Sequence, residues 1–151
     1  MMGYEPKYPQ NPGYIHLHTP ATGTLEQLCA DEITKLLIHH PRLPVDEVAE
    51  LASLHLGARA SVTHSGAPYV EVFGESVSKA AALDALCEEL GCLPEDVVAF
   101  GDMPNDLPML AFAGHAVAVR NAHHAVLEAA HEITGSNDDD GVAATIERLL
   151  R

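Results

Sequence analysis

The stretch VVAFGDMPNDLPML, residues 97–110, decides the fold that this sequence predicts. Residues Asp96–Phe100 are mostly apolar and β-branched, which favours a short buried strand. Gly101 and Asp102 follow this strand directly. In an open α/β sheet, ligands bind just beyond the carboxyl ends of the strands. We therefore predict that Asp102 lies at the ligand-binding edge of a sheet.

Two carboxylates follow this predicted strand within five residues. Asp102 and Asp106, with Asn105 between them, provide oxygen ligands of the type that a hard cation such as Mg²⁺ prefers. An acidic helix N-terminus exposed to solvent would show the same residue types, because Asp is common there. The local pattern leaves both interpretations open.

Lys79 is a second candidate functional residue. It follows Ser78, a plausible N-cap, in the first turn of a predicted helix, where a cation opposes the helix dipole by ~0.3–1 kcal/mol. The position becomes favourable if an anion such as phosphate binds at the helix N-terminus. The alternative is an exposed lysine with a small energetic penalty.

Short strands and helices alternate around these residues, which is typical of a parallel sheet with helices on its faces. We predict an irregular lead-in over residues 1–31, an α+β unit of β-α-β-β order over 32–74, and an α/β unit over 75–151. The predicted strands are Glu32–His39, Ala58–His64, Tyr69–Phe73, Asp96–Phe100, His115–Val119 and Glu132–Thr134. The predicted helices are the segment from Val45 to Leu56, Ser78–Leu90, Asn105–Ala113, Ala122–Ala130 and Val142–Leu150.

Composition excludes some classes of function. The chain has 22 acidic and 8 basic residues, a net charge of −14 and a pI near 4.9, which disfavours binding to nucleic-acid backbones. No apolar run approaches the roughly 20 residues that span a bilayer, and residues 1–13 lack a signal-peptide core. We therefore expect a cytoplasmic location and no membrane partner. Cys29, Cys87 and Cys92 contain no C-x-x-C pair, so we expect reduced thiols in or near the core.

The segments EVFGESVSKAAAL (71–83) and GDMPND (101–106) together resemble the C-terminal half of a haloacid dehalogenase (HAD) superfamily phosphatase. The resemblance is to the Cof-type branch and runs from about Glu32 to Arg151. It implies a Rossmann-type core that is incomplete here, with a partial cap over residues 32–74. It also implies a Mg²⁺-dependent phosphatase that acts on small phosphorylated metabolites through an aspartyl-phosphate.

The resemblance assigns roles to individual residues. Lys79 falls on the third family motif, as a catalytic residue that neutralises the nucleophile and binds phosphoryl oxygens. Asp102 and Asp106 fall on the fourth, with Asp102 as the metal ligand and Asp106 as a further catalytic carboxylate. Asn105 and Asn121 match positions near the substrate.

The first motif of that family, Asp-x-Asp-x-Thr, is not found in this sequence. The sole Asp-x-Asp string, Asp138–Asp140, follows a polar turn and not an apolar strand. We therefore expect the chain alone to be inactive and to bind Mg²⁺ weakly. The alternatives are a non-catalytic remnant or binding module, or one chain of a two-chain phosphatase, with a second copy or a complementing chain as partner.

Ten histidines are scattered along the chain without a compact ligand motif. We interpret them as surface or partly buried side chains. For His40 and His64, which lie in the predicted cap, a role in substrate specificity is the alternative.

Overall fold

The computed structural model describes residues 3–4, 21–30 and 32–151. Most of its strands lie in two three-stranded sheets. The first sheet is antiparallel, in the order β3-β5-β4. Its strands are β3 (Leu36–Ile38), β4 (Ala60–Thr63) and β5 (Val70–Gly74). The second sheet is parallel, in the order β6-β7-β8. Its strands are β6 (Val98–Gly101), β7 (His115–Ala118) and β8 (Glu132–Ile133). The predicted α/β class, with a partial parallel core and a small α+β unit, is confirmed.

One long helix covers the antiparallel sheet. Helix α2 (Val45–Leu56) begins after Pro44 and ends at Gly57, whose φ of 54° suits glycine. Its buried Val48 packs against Val70 and Val72 of β5. The predicted hairpin is confirmed, but strand Glu32–His39 is shorter than expected. β3 pairs only from Leu36, opposite Val72, to Ile38, opposite Val70, where β5 begins.

Four helices accompany the parallel sheet: α3 (Lys79–Leu90), α4 (Leu107–Phe112), α5 (His124–Ala129) and α6 (Gly141–Leu149). Helix α3 starts where predicted, because the Ser78 hydroxyl accepts a hydrogen bond from the Ala81 N–H. Its C-terminus is closed by Gly91 at φ 68°. The core between sheet and helices is built from small and medium side chains: Ala99, Leu110, Ala113, Ala116, Ala118 and Val126.

The predicted helix Asn105–Ala113 begins differently in the structure. Residues Pro104–Asp106 form a 3₁₀ turn, and the α-helix starts only at Leu107. Pro108 has no N–H to donate to the carbonyl of Pro104, so the first turn cannot form a complete α-helical ladder. Asp106 therefore sits at the junction of the two helical segments.

Residues 1–31 were predicted to be an irregular lead-in, but those of them that the structure describes form two short strands and one short helix. Gly3–Tyr4 (β1) and Ala21–Thr22 (β2) pair in parallel, and Leu25–Leu28 form a short helix, α1. This helix begins at a reciprocal capping box between Thr24 and Gln27, a T-x-x-Q pattern that is visible in the sequence. The rest of the lead-in lies outside the described residues.

Two further expectations concern the thiols and membranes. All three cysteines are free, but only Cys87 is buried, whereas Cys29 and Cys92 are exposed. Among the helices of the described ranges, none combines the length and the apolar character that crossing a bilayer requires.

Leu110 should be a principal contributor to stability. It is 2% exposed in the core beneath β6, so Leu110→Ala is expected to lower the free energy of unfolding by about 2–5 kcal/mol. Leu54, which is 79% exposed on α2, is the matched control, and Leu54→Ala should change it by less than about 0.5 kcal/mol. Urea denaturation followed by circular dichroism measures both. Equal losses in the two variants would contradict the assignment of the core.

Candidate active site

A buried carboxylate organises the carboxyl end of β6. Asp106 is 3% exposed, and its Oδ2 accepts hydrogen bonds from the backbone N–H groups of Asp102 (3.0 Å) and Met103 (3.2 Å). Its Oδ1 accepts a hydrogen bond from Nζ of Lys79. One side chain therefore closes the turn after β6 and fixes the lysine at the start of α3.

The sequence places these groups together through two local features. Lys79 is the first residue of α3, so the Ser78 cap determines where its side chain departs. Gly101 allows Asp106 to approach the strand, because a Cβ at position 101 would lie 2.8 Å from Asp106 Cβ and 2.9 Å from Leu110 Cδ1. Both contacts are too short for any other residue type without displacement of the turn.

The two aspartates differ in their electrostatics. Burial acts to raise the pKa of Asp106, but the hydrogen bonds from Lys79 and from the two backbone N–H groups outweigh it and lower the pKa below the ordinary value of 3.8. Most of the Asp102 residue is exposed to solvent, but its carboxylate is partly buried. This partial burial and the neighbouring negative charge of Asp106 raise the pKa of Asp102 above 3.8. Asp106 is thus a satisfied anion, whereas Asp102 is a carboxylate that a nearby cation would stabilise.

The two predicted asparagines lie in different surroundings. Asn105 Oδ1 is buried, and no described residue donates a hydrogen bond to it. Asn121 instead pairs with Asn137: its Nδ2 donates to Asn137 Oδ1 at 2.7 Å, and its Oδ1 accepts from the Asn137 N–H at 3.3 Å. The structure joins Lys79, Asp102 and Asp106 in one network and ties Asn121 to another.

The interpretation of the histidines as scattered is wrong for two of them. His64 Nε2 lies 2.7 Å from Asp46 Oδ1, and His123 Nε2 lies 3.3 Å from the same oxygen. His64 follows β4, Asp46 lies in the first turn of α2, and His123 caps α5, so the group spans both sheets. Local spacing could not reveal it. By contrast, His40 accepts hydrogen bonds from the N–H groups of Arg42 and Leu43 within its own turn.

Two contacts connect the group of Asp46, His64 and His123 and the β4–β5 hairpin to the turn of residues 102–106. The His123 N–H donates to the Asp102 carbonyl at 2.8 Å. At the tip of the β4–β5 hairpin, Gly66 has φ 83°, and a Cβ there would lie 3.0 Å from Met103 Cε. The hairpin tip therefore rests directly on the turn that holds Asp106.

The family model for haloacid dehalogenase-like hydrolases matches residues 7–146, nearly the whole chain. The chain belongs to this family. The match begins before the start that the sequence motifs indicated, Glu32, and it confirms the resemblance. Most residues of this HAD-like chain are thus accounted for by one family.

Individual relatives agree with the family match. The chain is 41% identical over 88 residues (58% of the chain, 31% of the relative) to 5-amino-6-(5-phospho-D-ribitylamino)uracil phosphatase YwtE of Bacillus subtilis. It is 33% identical over 133 residues (85% of the chain, 48% of the relative) to YitU, another 5-amino-6-(5-phospho-D-ribitylamino)uracil phosphatase of Bacillus subtilis. Its fold is similar to that of the HAD subclass IIB sugar phosphatase BT4131, with a TM-score of 0.74 at 20% identity, over 87% of this chain and 49% of that one. The HAD-like chain therefore spans between about a third and a half of the length of these relatives.

Replacing Asp106 or Asp102 by asparagine should change the free energy of unfolding in different directions. Asp106→Asn leaves Lys79 without a charged partner and should lower the free energy of unfolding at pH 7 by about 1–3 kcal/mol. A lowered folded-state pKa means that the stabilisation by Asp106 is present above the ordinary pKa and is lost as the pH falls through the folded value. The variant should therefore lose less stability than the wild type on acidification below pH 3.8.

Asp102→Asn is the matched control. The pKa of Asp102 is raised, so its ionised form opposes folding at neutral pH, and its removal should leave stability unchanged or higher. Urea unfolding at pH 7 and through the acid range measures both variants. A larger loss in Asp102→Asn than in Asp106→Asn would show that the roles are reversed.

Proposed function

We propose that this chain supplies the phosphate- and Mg²⁺-binding half of a HAD-type phosphatase that acts on small phosphorylated metabolites. The observation that carries the proposal is the Lys79–Asp106 pair, fixed beside Asp102 at the carboxyl end of β6. Family membership and phosphatase relatives support it.

The residues of this turn supply part of the oxygen shell that a magnesium ion needs. Asp102 presents a carboxylate whose pKa is raised by partial burial and by the negative charge of Asp106, and Asn105 Oδ1 in the same turn has no hydrogen-bond partner among the described residues. Asp106 is already engaged by Lys79 and two N–H groups, so it orients the lysine and leaves Asp102 as the metal ligand. When bound, Mg²⁺ would neutralise charge on phosphoryl oxygens.

Lys79 would act on the substrate directly. Its side chain is half exposed although its Nζ is held by a buried carboxylate, so donors remain for a second anion. The ammonium lies at the N-terminus of α3, where backbone N–H groups also favour phosphate. Fixed positive charge of this kind stabilises the charge that a transferring phosphoryl group develops. Asn105 and Asn121 would contact the substrate, and Asn121 would first release Asn137.

The attacking group of the reaction would come from outside these residues. Covalent phosphoryl transfer needs a carboxylate in line with the leaving oxygen. Asp138 and Asp139 belong to a 3₁₀ turn after β8, and Asp140, at φ 56°, precedes α6, so these residues form a helix-capping turn. Their position supports a structural role for the sole Asp-x-Asp string.

A second candidate function is that of one chain in a two-chain phosphatase. Within the described residues β6 is an edge strand, hydrogen-bonded only to β7. Large apolar side chains on β6, on helices α3 and α6 and at the C-cap of α6 are exposed: Leu86, Leu90, Val98, Ile146, Leu149 and Leu150. Unpaired edges and apolar faces favour pairing with another chain.

The 151-residue chain should not hydrolyse p-nitrophenyl phosphate in Mg²⁺ above a protein-free blank, because the Asp-x-Asp-x-Thr motif that would supply the attacking carboxylate is not found in the sequence. Mg²⁺ titration followed by NMR should show binding no tighter than the millimolar range, abolished by Asp102→Asn and only weakened by Asp106→Asn. Turnover that disappears in Asp102→Ala would overturn the proposed division of the site. Micromolar Mg²⁺ affinity, or the reverse ranking of the variants, would do so as well.

The chain should also self-associate, since the same edge and apolar faces are available to a second copy. We expect a dimer or larger species by multi-angle light scattering, with a smaller mass for the double variant Leu86→Glu, Leu90→Glu on α3. Leu54→Glu, at an exposed apolar position on α2, is the control and should not change the mass. A well-folded monomer at high concentration would argue against pairing through these surfaces.

A further inference from the structure

We propose that Asp46, His64 and His123 form a binding site for a divalent transition metal of the zinc class, separate from the Mg²⁺ site. Each residue offers one ligand atom, and the three atoms lie within 4.8 Å of one another. The three residues come from α2, from the end of β4 and from the N-terminus of α5. A bound ion would therefore fasten the antiparallel unit to the parallel unit.

The distances suit one shared ion. Zinc bonds to nitrogen and carboxylate oxygen are about 2.0–2.2 Å long, so the ligands of a tetrahedral ion lie about 3.3 Å apart. His123 Nε2 is 3.3 Å from Asp46 Oδ1, and His64 Nε2 is 2.7 Å from it. Of these two pairs, the second must separate slightly to share an ion. The Asp46 side chain is 51% exposed, so it is free to rotate by that amount.

The donor set selects the class of metal. Two imidazoles and one carboxylate match sites that hold zinc with an open fourth position, whereas Mg²⁺ prefers an all-oxygen shell. Two neutral imidazoles and one carboxylate would also leave the ion with a net single positive charge.

The surroundings of the buried His64 ring allow the protonation pattern that a metal bound at Nε2 requires. Its side chain is 5% exposed, and no described residue makes a hydrogen bond with its Nδ1. Because no described residue donates a hydrogen bond to Nδ1, this nitrogen can carry the ring proton, and Nε2 then has a lone pair for the metal. The ring also lies edge-to-face against His123, with centroids 5.6 Å apart, so both imidazoles are held close to the same oxygen.

The orientation of His123 is fixed by its backbone and its other nitrogen. Nδ1 accepts a hydrogen bond from the Ala125 N–H at 3.3 Å and Nε2 faces Asp46, so the ring proton lies on Nε2 in the metal-free chain. Metal binding through Nε2 would move this proton to Nδ1 and replace the bond to Ala125. The backbone N–H of His123 donates to the Asp102 carbonyl. Occupancy of the site would thus fix α2 relative to the turn that carries the Mg²⁺ ligand.

The test uses the untagged, chelator-treated chain in excess Mg²⁺, which occupies the oxygen site around Asp102. Isothermal titration with Zn²⁺ should give one site per chain. Asp46→Asn and His123→Gln should each weaken binding by at least about tenfold. His55→Gln is the matched control on α2, because His55 is exposed and bonds only locally to the Leu51 carbonyl, and it should bind like the wild type.

Cobalt provides a second readout that does not depend on the stability of the variants. Co²⁺ should give the visible absorption of a tetrahedral nitrogen and oxygen site, without a thiolate charge-transfer band. That spectrum should be lost in Asp46→Asn. Absence of saturable Zn²⁺ binding would overturn the proposal and leave Asp46 as a hydrogen-bond acceptor between two histidines. A thiolate band, or equal affinity in Asp46→Asn and the wild type, would place the ion elsewhere and overturn it also.

Discussion

The buried carboxylate of Asp106 is the constraint on which the rest of the site depends. A carboxylate at 3% exposure needs compensation, and the turn after β6 supplies it through two backbone N–H groups and one lysine. The bond from Lys79 brings the start of α3 to the end of β6, although Lys79 and Asp106 are far apart in the sequence. The hydrogen bonds that compensate this buried charge also fix Lys79 beside the turn that carries Asp102.

Sequence reasoning located the elements whose signals are local. Helices α2 and α3 were predictable because each has a start signal, an apolar repeat and a glycine after the last turn. Lys79, Asp102 and Asp106 were predictable as candidates because a strand end and a helix start converge at the edge of a parallel sheet. The start of α4 was misjudged because Pro108 removes one donor from the first turn, and α1 was missed although Thr24 and Gln27 form a capping box.

What sequence reasoning missed depends on tertiary contacts. Asp46, His64 and His123 share no local spacing, and only the packing of α2 and the β4–β5 hairpin against α5 brings them together. A weak signal did exist, since His64 ends a predicted strand and Asp46 and His123 lie at predicted helix starts. The pairing of Asn121 with Asn137 was likewise beyond reach, because it links two loops at the ends of different strands.

The contact between Gly66 and Met103 links the hairpin tip of the antiparallel unit to the site turn of the parallel unit. A side chain at position 66 would meet Met103, whose N–H bonds to Asp106, besides being strained at a φ of 83°. Evolutionary change at the hairpin tip is therefore not independent of change in the turn. Among relatives, we expect residues at the positions of Gly66 and Met103 to vary together in volume, with a small residue at one permitting a long flexible side chain at the other.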